Sequence, residues 1–121
     1  LKNLNGISPN LKNLYLYHCY SLQNLDGLIN CTKLTELELS DCENLQNFDG
    51  IRNCKNLKRL MLHSCYGLQN LDSFSNFTNL IELEISFCSN FQNVDGLENI
   101  TNIKKLNLFF CTNLKNLKWD Y

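Results

Sequence analysis

Cysteine is the residue with the clearest chemical potential in this chain, because 121 residues contain seven thiols that could bind a metal, form disulfides or pack as small apolar side chains. Zinc requires four convergent ligands, which a column of parallel thiols without a histidine facing the same way does not supply. Cys31 and Cys54 share a repeat position that Phe77 and Ile100 fill later, which is typical of a packing position. We therefore predict buried, reduced thiols, a reducing compartment, and neither metal nor cofactor. The other five recur at one constant spacing and form a structural column: Cys19, Cys42, Cys65, Cys88 and Cys111.

Two polar columns follow these cysteines. The amide of an aligned asparagine can satisfy backbone groups of each turn, so we interpret the asparagine column as structural. The aspartates, mostly followed by glycine, can bond their own backbone in a turn. Aligned carboxylates could also suggest calcium, but calcium-binding nonapeptide repeats have glycine-rich turns of another spacing. The asparagines are Asn24, Asn47, Asn70, Asn93 and Asn116; the aspartates are Asp26, Asp49, Asp72 and Asp95.

The residues that could support nucleophilic catalysis are badly placed for it. His18 and His63 lie two repeats apart and in different columns. Cys19 and Ser64 are their sequence neighbours, and adjacent side chains of a strand point to opposite faces. No glycine-rich phosphate loop and no HExxH motif occurs in the sequence. We therefore predict that the chain is not an enzyme and has no catalytic residues.

The composition of the chain argues against several classes of binding partner. The net charge of −1 and the pI of about 6.1 give no electrostatic footprint for nucleic acid or for a membrane surface. No apolar run is long enough to span a bilayer. Three sequons fall at one repeat position, at Asn30, Asn76 and Asn99, so the repeat itself explains them. Free thiols favour a cytoplasmic location, with secretion or the cell surface as the alternative.

The element that must position these residues is a repeat, of which 34–56 is a complete copy. In this copy Leu37 and Leu39 alternate with polar residues, which predicts a strand with one buried face. The later apolar positions are three apart, which suits a 3₁₀ turn or coil. We expect one domain, 1–121, as a piece of a longer array. It divides into a partial repeat (1–10), four full repeats (11–33, 34–56, 57–79 and 80–102) and a truncated repeat (103–121).

The strand segments carry a family resemblance. They read LKNLYLYHC, LTELELSDC, LKRLMLHSC, LIELEISFC and IKKLNLFFC, which resembles the LxxLxLxxN/CxL pattern of the leucine-rich repeat family over nearly the entire chain. CENLQNF is similar to repeats of plant disease-resistance receptors, and DGLENITN to those of bacterial internalins. The resemblance implies an α/β-class solenoid, a right-handed curved stack with a parallel β-sheet on the concave face and 3₁₀ or coil segments on the convex face. It also implies that macromolecules bind on the concave face.

The outward strand positions vary from repeat to repeat, so we expect the binding residues there. Glu36, Arg59, Glu82 and Lys105 alternate in sign and are predicted to neutralise one another. Exposed aromatics grouped on one face favour an interaction site. Tyr15, Tyr17 and Phe87 have no obvious partner in the sheet, whereas Phe109 and Phe110 either face outward or cover the sheet edge. The predicted binding residues are Tyr15, Tyr17, Glu38, Met61, His63, Glu84, Phe87, Phe109 and Phe110.

These features predict a non-catalytic module that binds a protein or peptide on its concave sheet. The alternative is a structural repeat protein that associates end to end, because no polar cap is evident at either end and exposed strand edges invite pairing. A designed array without a native partner is a third possibility, which the irregular outward positions argue against.

Overall fold

The computed structural model of the protein describes residues 1–114. Five parallel strands form one sheet in the order β1-β2-β3-β4-β5. The strands are β1 (Asn13–Tyr17), β2 (Glu36–Ser40), β3 (Arg59–His63), β4 (Glu82–Ser86) and β5 (Lys105–Phe109). Within the described residues the only helical segments are four short 3₁₀ turns: Asp26–Leu28, Asp49–Ile51, Asp72–Phe74 and Leu97–Asn99. The predicted solenoid, a parallel sheet joined through short 3₁₀ segments, is confirmed. The limits of the domain stay a prediction.

The strand register follows the repeat. Each strand residue pairs with the equivalent residue of the next repeat, as Leu37 does with Leu60. Because side chains alternate along a strand, both leucines of each Leu-x-Leu unit face the interior, and Leu37 and Leu39 are fully buried. Full burial of a leucine contributes roughly 1.5–3 kcal/mol. The strand leucines of β1 and β5 are only partly buried, because each of these strands has one neighbour in the sheet.

The interior behind the sheet is filled by the apolar positions of the turns. Phe74 stacks on Phe77 with ring centroids 5.4 Å apart and meets Phe48 edge to face at 6.4 Å. Phe48 and Phe74 occupy the repeat positions that Leu25 and Leu28 fill in the first turn. The same core position therefore accepts either leucine or phenylalanine without a change of fold. No helical segment in the described part of the chain has the length and apolar character needed to cross a membrane.

Candidate functional site

The outward side chains of the five strands, with the residue that follows each strand, form one continuous surface, here called the sheet face. Parallel pairing in register aligns equivalent residues into rows across the strands, so Tyr15 lies beside Glu38 and Glu38 beside Met61. The structure places all nine predicted binding residues on or beside this face. Seven lie within strands, whereas Phe87 and Phe110 directly follow β4 and β5.

The tyrosines at the β1 end of the face are tied to glutamates of β2. The Tyr17 hydroxyl donates a hydrogen bond to Glu38 Oε2, and this bond raises the pKa of Tyr17. Hydrogen bonding to Glu36 likewise raises the pKa of Tyr15. The expectation of no partner in the sheet is therefore wrong for Tyr17, because Glu38 on the neighbouring strand accepts a hydrogen bond from its hydroxyl. Tyr17 nevertheless stays 53% exposed.

The charged row at the start of the strands is only partly neutralised. Arg59 Nη1 lies 2.9 Å from Glu36 Oε1, and Arg59 Nη2 lies 3.4 Å from Glu82 Oε2, so one guanidinium bridges two carboxylates. Lys105 takes no part in an ion pair among the described residues. Three of the four residues with predicted alternating charge are therefore paired, and Lys105 is the fourth. Exposed ion pairs of this kind contribute roughly 0–1 kcal/mol to stability.

The centre of the face holds a carboxylate, an imidazole and a hydroxyl in contact. His63 Nε2 lies 3.2 Å from Glu84 Oε2, and His63 Nδ1 lies 2.5 Å from Ser86 Oγ. Ser86 is only 4% exposed, so its hydroxyl is not open to a substrate carbonyl, and the arrangement holds the imidazole in place. Sequence reasoning paired His63 with its neighbour Ser64 and missed Ser86, which the register brings alongside from the following repeat.

The β5 end of the face is aromatic. Phe87 and Phe110 stack with ring centroids 4.9 Å apart and an angle of 13° between their planes, so Phe87 also has a partner that was not predicted. Phe110 is 68% exposed and Phe109 is 50% exposed. Phe110 thus shares an exposed stack with Phe87 in the last described repeat. A stacked pair contributes roughly 0.5–1.5 kcal/mol beyond area burial.

The residue that follows each strand has an unusual backbone conformation, which sequence reasoning missed. The residue after each strand has a positive φ, between 53° and 58°, although none of the five is glycine. The left-handed conformation costs such residues roughly 1–2 kcal/mol, and the ladder holds them there, as the Phe87 amide donates to the Phe109 carbonyl at 2.9 Å. Only the histidine and the aspartate of these five residues give a sequence signal for this conformation. The five residues are His18, Asp41, Ser64, Phe87 and Phe110.

The cysteine column lies behind this row and faces the interior. Cys88 Sγ lies 3.7 Å from the Leu62 carbonyl oxygen and 3.5 Å from the Ser86 carbonyl oxygen, either of which can accept its single proton. Cys65 and Cys111 have the equivalent pair of acceptors, and Cys19 and Cys42 have one each. All seven cysteines are free thiols, five of them buried, with Cys19 and Cys111 partly exposed in the end repeats. Burial raises the pKa of Cys42 and of Cys54 to about 11. Within residues 1–114, no three His, Cys, Asp or Glu side chains come close enough to hold a metal ion.

The predicted asparagine column acts within each turn. In four repeats the asparagine Oδ1 accepts a hydrogen bond from the aspartate amide two residues later, at 2.8–3.2 Å. These asparagines are Asn24, Asn47, Asn70 and Asn93, whereas Asn116 lies outside the described residues.

Other asparagines, which sequence reasoning did not single out, connect one repeat to the next. Each of them donates its amide to a backbone carbonyl in the preceding repeat, as Asn90 Nδ2 does to the Tyr66 carbonyl at 2.7 Å. Their signal in the sequence is recurrence at two other positions of the repeat. They include Asn44, Asn90 and Asn113 in one column and Asn56, Asn79 and Asn102 in the other.

The opposite, convex surface is polar and amide-rich. A shallow cleft of about 440 Å³ opens between the second and third repeats, lined by Gln46, Asn47, Gln69, Asn70 and neighbouring residues. On the same surface, a backbone hydrogen bond 3.0 Å long from the Gln46 amide to the Gln23 carbonyl joins the preceding pair of repeats, 11–33 and 34–56. Exposed aromatic rings on the sheet face and amides on the convex surface thus distinguish the two sides.

Comparison with known protein families gives a match over most of the solenoid. The family model described as the Endo-beta-N-acetylglucosaminidase EndoS LRR domain matches residues 5–87, which is more than half of the chain. The matched region contains β1 to β4 and ends at Phe87. Comparison with curated proteins found no matching relative.

Proposed function

We propose that this chain, which belongs to the leucine-rich repeat family of the EndoS LRR domain, is a non-catalytic module that binds a protein or peptide on its sheet face. The observation that carries the proposal is the pair of exposed aromatic groups at the two ends of that face. Tyr15 and Tyr17 lie at one end, and Phe87, Phe109 and Phe110 at the other. Aromatic side chains are enriched among the few residues that supply most of the energy of an interface.

The organisation of the face supports the same function. Glu38 accepts a hydrogen bond from the Tyr17 hydroxyl, and Phe87 stacks on Phe110, so these rings are held in place in the absence of a partner. Holding side chains in their bound conformation reduces the entropy lost on association. The leucines on the other side of the strands pack into the core, and this packing fixes the strands that carry the rings.

The chemistry of the remaining groups supports a non-catalytic role. Ser86 beside His63 is buried, and a nucleophile must be able to reach its substrate. Burial raises the pKa of Cys42 and of Cys54 to about 11, so the reactive thiolate is even less populated near neutral pH than in an ordinary cysteine. The EndoS family name refers to an enzyme, but the match is to its LRR domain.

Seven free thiols also support our proposal of a reducing, cytoplasmic location.

Binding of selected peptides tests the proposal and requires no identified partner. Peptides from a displayed random library are selected on the wild-type protein, and their affinities are measured for Tyr17→Ala and for the matched control Tyr66→Ala, whose ring is exposed in a turn outside the sheet face. We expect Tyr17→Ala to weaken binding about tenfold, since burying an aromatic ring contributes roughly 1.5–3 kcal/mol. We expect Tyr66→Ala to leave binding unchanged, and both variants to melt near the wild-type temperature.

The contrary result is equally defined. If the peptides bind Tyr17→Ala undiminished and lose affinity for variants of the convex cleft such as Gln46→Ala, the partner does not bind on the sheet face. Sedimentation velocity at several concentrations examines the alternative of end-to-end self-association. A protein that stays monomeric while it binds peptides supports the interaction module, whereas concentration-dependent filaments that Tyr17→Ala does not alter support the structural role.

A further inference from the structure

We infer that the partner segment is an extended peptide that places a lysine or arginine at the β1–β2 end of the sheet face and an apolar side chain, four or six residues away, at the β4–β5 end. This inference rests on the proposed function, since it assumes that the sheet face is the binding surface. It adds the chemistry of the partner and the spacing of its two anchoring side chains.

The charge of the face favours a cationic partner. Its outward positions carry five carboxylates but only two permanent cations, Arg59 and Lys105. Arg59 is already shared by two of the carboxylates. The other three have only neutral or titratable partners: Glu38 accepts from Tyr17, Glu84 contacts His63 and Asn107, and Asp41 contacts His18. Charge complementarity of this kind selects partners and accelerates association.

Glu38 marks the position for the cationic side chain. It pairs in register with Tyr15, accepts the hydroxyl of Tyr17, and has no cation within ion-pair distance among the described residues. A lysine or arginine seated here meets a carboxylate and the faces of two half-exposed rings, and both interactions attract a cation. No other part of the sheet face combines an uncompensated carboxylate with two tyrosines.

The stacked pair of Phe87 and Phe110 marks the position for the apolar side chain. Phe109 adds a third exposed ring next to it.

Lys12, Lys58 and Lys104 lie at the strand-start edge, at the opposite end of each strand from Phe87 and Phe110. A cationic side chain is therefore repelled from the strand-start edge and attracted toward the row that contains Glu38 and Glu84.

The distance between the two positions sets the spacing in the partner. The midpoint of β1 and β2 lies three strand spacings from the midpoint of β4 and β5, or roughly 14 Å at about 4.8 Å per strand. Glu38 lies at the centre of its strand, whereas Phe87 and Phe110 follow theirs, which adds roughly 10 Å along the strand direction and separates the two positions by roughly 17 Å. An extended chain advances about 3.3–3.6 Å per residue, so roughly five residues cover this distance. Residues separated by four or by six in an extended strand point to the same side, so with either spacing both anchors face the sheet together. The residue between them meets Met61 and His63 of β3.

The peptides selected on the wild-type protein test this inference directly. We expect lysine or arginine to be enriched at a spacing of four or six from an aromatic or aliphatic residue, in either chain direction. Glu38→Gln should weaken these peptides roughly fivefold and reduce the dependence of binding on salt, because it removes the charge but keeps an acceptor for Tyr17. The matched control is Glu98→Gln, which makes the same charge change on the exposed convex side and should leave the affinity unchanged.

A second variant guards against misfolding as the cause of lost binding. Tyr17→Phe keeps the ring and releases Glu38 from the hydroxyl, so peptides with the basic anchor should bind at least as tightly as to the wild type. If the peptides lose binding to Tyr17→Ala but carry no basic residue and ignore Glu38→Gln, the inference is wrong while the proposed function stands. If binding is indifferent to all of these sheet-face variants, the proposed function itself is wrong.

Discussion

Gly50→Ala is the perturbation whose cost the structure defines most sharply. Gly50 lies in the second 3₁₀ turn, and a Cβ built there would be 1.8 Å from the Leu25 carbonyl oxygen of the previous repeat. Side-chain Cβ atoms essentially never approach closer than 3.0 Å, so the two turns must move apart by at least the difference between these distances. Because the obstacle is backbone, no rotamer change relieves the contact.

The size of the effect follows from what that separation breaks. The bond from the Gln46 amide to the Gln23 carbonyl is 3.0 Å long and joins the same two repeats, so a shift of this size removes it. A lost hydrogen bond costs roughly 0.5–1.5 kcal/mol, and overpacking of a tight interior costs roughly 1–3 kcal/mol. We expect Gly50→Ala to lower the free energy of unfolding by about 2–4 kcal/mol.

Urea denaturation gives the loss in free energy, and amide hydrogen exchange locates it. The control is Gly96→Ala: Gly96 has open space around its Cβ position but a φ of +95°, so only backbone strain of roughly 1–2 kcal/mol is expected. Exchange in Gly50→Ala should increase at the first two turns, since each repeat of a solenoid contacts only its neighbours. A loss below about 0.5 kcal/mol, or one smaller than for Gly96→Ala, would refute the reasoning about this contact.

Three further predictions concern the columns. Asn70→Ala should lower the free energy of unfolding by roughly 0.5–2 kcal/mol, since it removes the acceptor 2.9 Å from the Asp72 amide, whereas exposed Gln69→Ala should change it little; equal losses in urea denaturation would contradict the assigned positions. Thiol labelling should find few reactive groups in the native protein and seven after denaturation; fewer than six would reveal a disulfide. Burial raises the pKa of Cys42 and of Cys54 from 9.0 to about 11, so their stabilisation is full below pH 9 and is lost as the pH rises through 11. Denaturation measured at pH 8 and pH 10.5 should show this fall, and equal stability at the two values would contradict it.

The fold could be predicted because one physical signal repeats five times. Leucines at alternate positions define each strand, and the constant length of the repeat fixes the parallel register that the structure has. The turns could be predicted as a class but not individually. Asp95-Gly96 resembles Asp49-Gly50 in sequence, yet Gly96 takes a positive φ and the fourth 3₁₀ turn begins at Leu97 rather than at the aspartate.

The contacts of the candidate site could be predicted only in part. Sequence placed Tyr17 and Glu38 on one face, but whether the hydroxyl reaches the carboxylate depends on side-chain conformations. The sequence places Ser64 beside His63, but the hydrogen-bond partner of His63 is Ser86 of the next strand. The left-handed backbone after each strand is imposed by the ladder, so residues such as Phe87 adopt it against their own preference.

Oxidative footprinting of the complex with a native partner tests the central claim most directly. Hydroxyl radicals modify exposed aromatic rings, and mass spectrometry compares each ring in the free and bound protein. We expect Tyr17, Phe87 and Phe110 to lose most of their reactivity on binding, because all three are at least half exposed on the sheet face. Tyr66, exposed in a turn outside that face, should react equally in both states. Protection of Tyr66 with unchanged reactivity at Tyr17 and Phe110 would contradict binding on the sheet face.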